Sequence, residues 1–214
     1  MKYKIWVDEA GRGPWAGPVV AAAFCFDSNN SISKDIVSQI NDSKKLTAKK
    51  REGLYAILVE KGLFWVGVVD NYIIDEINIR QANKEAMRRA IIELKRKLPD
   101  QTTWKKTQFE VMIDGRDNYV FDELKAQPTY IIWGDWKVTE IGAASIIAKV
   151  FRDKLMSAYA TLYPNLGFET NQWYWTKKHQ ENLLNPADIT GIHRTTYKPV
   201  QVVVTKREKT SKNK

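Results

Sequence analysis

The sequence predicts an α/β fold in which a mixed central sheet of about five strands is flanked by helices and followed by a helical C-terminal part. Three observations lead there. Short runs rich in Val, Ile, Ala and Phe stop at Gly, Pro or Asp, as strands do. Longer stretches carry apolar residues at helical spacing, and the two kinds of segment interleave, with strands early and helices later. No internal repeat suggests a solenoid.

Tyr3 to Val7 is the first apolar run and ends in Asp8 and Glu9; Pro18 to Phe26 is the second, across a Gly/Pro-containing turn. Residues 47 to 61 place Leu54, Ile57 and Leu58 at helical spacing, with Thr47 as the N-cap. Leu63 to Val69 reads as a third strand. Residues 80 to 98 give the clearest helical period, because Ala82, Ala86, Met87, Ala90, Ile91, Leu94 and Leu98 fall on one stripe with Lys and Arg opposite. Phe109 to Ile113 and Thr129 to Ile132 are two further strands, the first stopped by Asp114-Gly115 and the second by Gly134-Asp135. From Ile141 to Tyr159 the pattern is helical again, and Ser145, Lys149 and Arg152 form a polar stripe on it. Pro164 to Trp175 reads as loop, Thr176 to Leu184 as a short helix, and Val202 to Val204 closes the pattern before a basic tail.

A chain of 214 residues, 43% hydrophobic and 28% charged, can bury one substantial core, so a single domain over 1–205 and a solvated basic tail over 206–214 are expected. No apolar run approaches the roughly 20 residues that span a bilayer, and the run after Met1 is too short for a secretory signal. A cytoplasmic monomer with no membrane contact is the expectation. Cys25, the sole cysteine, lies inside an apolar run, which excludes an internal disulfide or a thiolate metal cage and makes it a core residue. The net charge of +9 favours a polyanionic partner, although Lys206, Arg207, Lys209, Lys212 and Lys214 contribute part of the excess from the tail.

Three predicted strands end at acids: Asp8-Glu9, Asp114 and Asp135. Strand ends lie about 5 Å apart in the pairing direction, so adjacent strands would bring these carboxylates together at one sheet edge. Taken singly, each acid is better read as a strand-end turn residue. Gathered together, like charges raise one another's pKa unless a cation neutralises them, and an all-oxygen donor set points to Mg2+ or Mn2+. Two such ions about 3.5 to 4 Å apart suit phosphodiester hydrolysis, one activating water and the other stabilising the departing oxygen. Consecutive strand residues face opposite ways, so a shared site for Asp8 and Glu9 requires the strand to end at Asp8 and bend through Ala10-Gly11.

The stretch Asp8-Glu9-Ala10-Gly11-Arg12-Gly13-Pro14-Trp15-Ala16-Gly17-Pro18-Val19 resembles the signature of the type 2 ribonuclease H family, ribonuclease HII. Further blocks resemble the family in its order: Asp42-Ser43-Lys44-Lys45-Leu46-Thr47, Asn78-Ile79, Ile113-Asp114-Gly115, Gly134-Asp135, Ala143 to Val150 with Arg152-Asp153, Thr176-Lys177-Lys178-His179, and His193-Arg194. The likeness covers Ile5 to about Val200 and implies a ribonuclease H-like fold.

Carried over to matching positions, the resemblance implies that Asp8, Glu9, Asp114 and Asp135 are catalytic and hold the metals. It implies that Gly11, Arg12 and Gly13 bind backbone around a ribonucleotide and its 2′-OH, and that Tyr174 stacks on the following sugar. Lys44 and Lys45 suit phosphate contact, and Lys149, Arg152 and His179 suit positioning or phosphate contact rather than proton transfer. The implied substrates are RNA/DNA hybrids and DNA duplexes containing ribonucleotides. The implied products carry 3′-hydroxyl and 5′-phosphate ends, with cutting on the 5′ side of the ribonucleotide.

The sequence departs from this family where Trp6, Trp136, Trp173 and Trp175 stand at positions usually held by glycine. Either UGA codons for glycine have been read as tryptophan, or aromatic residues have replaced glycine, with Trp173 and Trp175 adding stacking surface. Genuine tryptophans there make a catalytically impaired hybrid-binding module the alternative. A DNA-cutting relative on the same fold is disfavoured by Gly11-Arg12-Gly13.

Overall fold

The computed structural model describes residues 2–26, 33–41, 46–98, 108–124, 127–134, 138–163, 191–203 and 205. Lys44, Lys45, Asp135, Trp136, Tyr174, His179, Trp173 and Trp175 lie outside them, as do the expected 164–175 loop, the 176–184 helix and the 206–214 tail.

Strand β1 spans Lys2–Ala10, β2 Val19–Phe26, β3 Gly62–Val69, β4 Gln108–Asp114 and β5 Thr129–Ile131. They form one mixed sheet in the order β3-β2-β1-β4-β5. β1 runs antiparallel to β2 and parallel to β4, while β4 and β5 are also parallel. Helix α1 (Lys34–Asn41), α2 (Ala48–Lys61), α3 (Asn71–Lys97) and α4 (Thr139–Leu162) flank it, and residues 198–203 form a helical turn. The five expected strands are all present, four of them within one residue of their expected limits, while β1 runs three residues beyond Val7.

Ile5, Val7, Ala21 and Ala23 face α3, whose apolar stripe is buried from Ala82 to Leu94. Each fully buried Ile or Leu in that layer contributes about 1.5–3 kcal/mol. Ala22 and Phe24 face the other way, against Leu54 and Leu58 of α2 and Ala143, Ala144 and Ile147 of α4. Cys25 is buried, as expected. Thr47 caps α2, its side chain accepting the Lys50 N–H.

Helix α3 starts earlier than its apolar period. Asp70 caps the first segment by accepting the Ile73 N–H at 3.0 Å. At Asn78 the backbone turns to φ 66°, and its side-chain oxygen accepts the N–H groups of Arg80 and Gln81 at 3.0 and 3.1 Å. Asn78 therefore caps a second helical segment that begins where the periodic stripe begins. Among the described residues no helix is long and apolar enough to cross a membrane.

Candidate active site

Parallel pairing of β1 with β4 matches Val7 to Ile113, so Asp8 and Asp114 follow side by side at the end of β4. One expectation is overturned here. β1 does not end at Asp8; it continues through Glu9 and Ala10, which pair with Ala21 and Val20 of β2. Asp8 and Glu9 consequently keep the alternation of a strand. Asp8 lies within the influence of Ser145 of α4, whereas Glu9 lies within that of Asn83 of α3, on the other side of the sheet, and each polar neighbour favours the ionised carboxylate. Asp114, the last residue of β4, lies near enough to both acids for its charge to raise their pKa values.

Asp8 is 6% exposed, and its Oδ1 accepts the Glu9 N–H at 2.7 Å. Burial first, then the charges of Glu9 and Asp114, push its carboxyl well above the usual range. Burial also raises Glu9, against the opposing pull of Arg12, with Asp114 adding to the rise. Asp114 is oriented across β4 and β5 by the Gly134 N–H, which donates to Asp114 Oδ1 at 2.7 Å. A Cβ at Gly134 would stand 3.2 Å from that oxygen, so the glycine itself is closely packed against the acid.

Asp8, Glu9 and Asp114 are oxygen donors, and burial first, with repulsion from neighbouring acids adding to it, raises Asp8 and Glu9, an electrostatic load a divalent cation relieves. Among the described residues no group of three potential ligands is gathered closely enough to hold an ion by itself. The fourth expected ligand, Asp135, lies outside them.

Beside the acids, Gly11, Arg12 and Gly13 line a cavity of about 400 Å3, together with Ser145 and Lys149 of α4 and Arg51 of α2. Arg12 bridges two carboxylates, donating from Nη1 to Asp117 Oδ2 at 2.8 Å and to Glu9 Oε1 at 3.4 Å. Lys149 is held by Asp153, and burial lowers its pKa against that acid's pull. Arg51 donates to the Leu46 carbonyl at 3.0 Å.

Arg152 is 1% exposed and donates to the carbonyls of Pro18 and Ala16 at 3.1 and 3.2 Å. It also lines the cavity. Gly11 adopts φ +94°, and a Cβ there would lie 2.1 Å from Arg152 Nε. Glycine is required on both counts.

Several residues at the site carried no distinguishing signal in the sequence. Asn83 is a polar residue next to an apolar stripe, Asp117 one acid in an irregular segment, and Arg51 one cation among many. Arg194 lay within a block of the family resemblance but had no role assigned; it is fully buried against the loop from Gly11 to Gly17.

The family model for ribonuclease HII matches residues 5–200. The chain belongs to the ribonuclease HII family. Membership makes it a metal-dependent endoribonuclease. A ribonuclease HII of Fusobacterium nucleatum is 42% identical over 212 residues, covering 98% of this chain and 93% of that protein. The ribonuclease H2 structure from Pyrococcus horikoshii superposes with a TM-score of 0.74 at 26% identity, covering 97% of this chain and 99% of that one. The Bst ribonuclease HIII, solved in complex with Mn2+, shares the fold at a TM-score of 0.74 and 17% identity, over 97% of this chain and 70% of its own.

Proposed function

We propose that this protein hydrolyses the RNA strand of RNA/DNA hybrids and cuts on the 5′ side of ribonucleotides embedded in DNA, leaving 3′-hydroxyl and 5′-phosphate ends. The observation that carries the reading is the placement of Asp8, Glu9 and Asp114 within electrostatic reach of one another, beside a cavity lined by Gly11, Arg12 and Gly13. Asp8, Glu9 and Asp114, with Asp135 as the fourth acid, would hold two Mg2+ or Mn2+ ions. When bound, such ions supply an activated water and charge stabilisation for phosphodiester hydrolysis.

The protein's own groups supply the remainder. Buried Asp8 and partly buried Glu9 are strong acceptors for cations once deprotonated, and the Gly134 N–H fixes the orientation of Asp114. The carbonyls of Gly11 and Arg12 point toward Arg194, so across trans peptides the N–H groups of Arg12 and Gly13 point the opposite way. Those donors suit a ribose hydroxyl or a phosphate oxygen, a contact only glycine-flanked backbone can approach closely. Lys149 and Arg51 on the cavity wall suit phosphate, as do Lys44 and Lys45. Tyr174 fits a stacking role on the adjoining sugar, and His179 a positioning one. In this reading the protein is a cytoplasmic monomer with one nuclease domain over 1–205 and a basic tail over 206–214.

The test is incubation with Mg2+ or Mn2+ on three substrates: a DNA duplex with one ribonucleotide, an RNA/DNA hybrid and a plain DNA duplex. Cutting of the first two, with ends as stated, is expected. Cutting of plain DNA alone overturns the reading, and binding of the hybrid without cutting supports the impaired module instead.

A further inference from the structure

The loop between β1 and β2 is organised from outside itself. Arg194, fully buried, donates from Nη2 to Gly11 O at 2.7 Å and from Nε to Gly17 O at 2.9 Å. Its Nη1 is shared among Pro14 O at 2.8 Å, Arg12 O at 3.1 Å and the Tyr197 hydroxyl at 2.9 Å. Tyr197 completes the clamp, its hydroxyl donating to Arg12 O at 2.7 Å while its ring lies 5.2 Å from the guanidinium carbon.

The clamp has a rigid base. The Arg194 N–H donates to Trp15 O at 2.7 Å, and the Gly17 N–H to Ile192 O at 2.9 Å. Asp75 of α3 accepts both the backbone N–H and the hydroxyl of Thr195 and of Thr196, and Asn71 donates to Gly191 O at 2.8 Å. A helix on one face of the sheet thus fixes the backbone of the loop beside the acids.

We propose that Arg194 and Tyr197 are positioning residues for ribonucleotide recognition, presetting the Gly11–Gly13 backbone so that the Arg12 and Gly13 N–H groups face the cavity. The proposal rests on the ribonuclease reading above. A guanidinium is suited to it, because its planar fork can hold several carbonyl oxygens in fixed directions where an ammonium holds a point. Pulling those carbonyls toward Arg194 orders the donors before substrate arrives, which lowers the cost of binding.

Tyr197→Phe removes one hydroxyl from the clamp and keeps the ring; Arg194→Lys removes the fork. Steady-state kinetics on a duplex with one ribonucleotide, with hydrogen exchange of residues 11–18 measured on the same samples, tests both. Tyr197→Phe is expected to raise KM about three- to ten-fold, the scale of one hydrogen bond. Its kcat should stay within about two-fold, and loop exchange should accelerate while exchange in α3 stays unchanged. Arg194→Lys should shift both readouts further, and if it fails to fold Tyr197→Phe still decides.

Unchanged loop exchange in Tyr197→Phe overturns the clamp. Faster loop exchange with unchanged KM reduces it to a structural brace and overturns the recognition role. A wild-type protein that cuts none of the ribonucleotide substrates overturns the ribonuclease reading itself, and with it the recognition role; loop exchange in the variants then still reports whether the clamp exists.

Discussion

Gly11 and Arg152 are packed so closely that a Cβ on the glycine would lie 2.1 Å from the arginine Nε, and the glycine adopts φ +94°. Arg152 cannot retreat without releasing the carbonyls of Ala16 and Pro18. Gly11→Ala therefore meets both backbone strain and a displaced buried cation. It should destabilise the protein by about 1–3 kcal/mol and reduce cleavage more than stability alone explains, checked by urea denaturation alongside kinetics on folded protein.

Asp8 carries a second prediction, of opposite sign for stability. Its folded-state pKa is raised by burial and then by Glu9 and Asp114, and Glu9 is raised too. Between the ordinary carboxylate range and the raised values, the native state binds more protons than the unfolded chain, so metal-free stability falls as pH rises through that window. Asp8→Asn keeps an oxygen for the Glu9 N–H but removes the charge. Expected is a higher melting temperature in EDTA at neutral pH, at about 2–4 °C per kcal/mol gained, a flatter stability profile against pH, and loss of cleavage. A lower melting temperature at every pH contradicts it.

The fold was legible because its signals are local. The stripe from Ala82 to Leu94 and the strands bounded by Gly and Asp report burial directly, and all five strands and the helix stripe lie where the pattern places them. Asp8, Glu9 and Asp114 were legible as acids at or near strand ends. The course of β1 was not: Glu9 and Ala10 continue the strand because β2 offers them partners, a long-range pairing that the neighbouring glycines obscure. The loop's second anchor was illegible for the same reason, since Arg194 reaches carbonyls more than 170 positions away. Of the tryptophans at family glycine positions, Trp6 is partly buried on β1, between Phe24 of β2 and Met112 of β4. UGG codons at positions 6, 136, 173 and 175 would exclude misread glycine.

Gly67 separates stability from chemistry. It sits on β3 where α3 crosses, and a Cβ there would stand 2.0 Å from the Ala86 carbonyl oxygen and 2.9 Å from the Ala90 nitrogen. Both obstacles are helix backbone, which cannot rotate aside. Gly67→Ala should cost about 1–3 kcal/mol through overpacking, seen as a lower urea midpoint. The protein that remains folded should cut with the wild-type kcat, because β3 is the sheet edge farthest from β4 and β5.

Asp114→Asn tests the metal reading at the point where orientation and charge can be parted. The Gly134 N–H donates to Oδ1, and asparagine retains an oxygen able to accept it, so the turn before Asp135 should survive. What disappears is one negative charge next to Asp8. Cleavage should fall on the order of 10²-fold or more, the scale of losing one group that stabilises transition-state charge. Affinity for a duplex with one ribonucleotide should stay within about two-fold and keep its salt dependence, since that dependence counts phosphate contacts made by cations. Retained activity in Asp114→Asn would remove this acid from the metal site, and lost affinity with a shallower salt slope would place it in substrate binding instead.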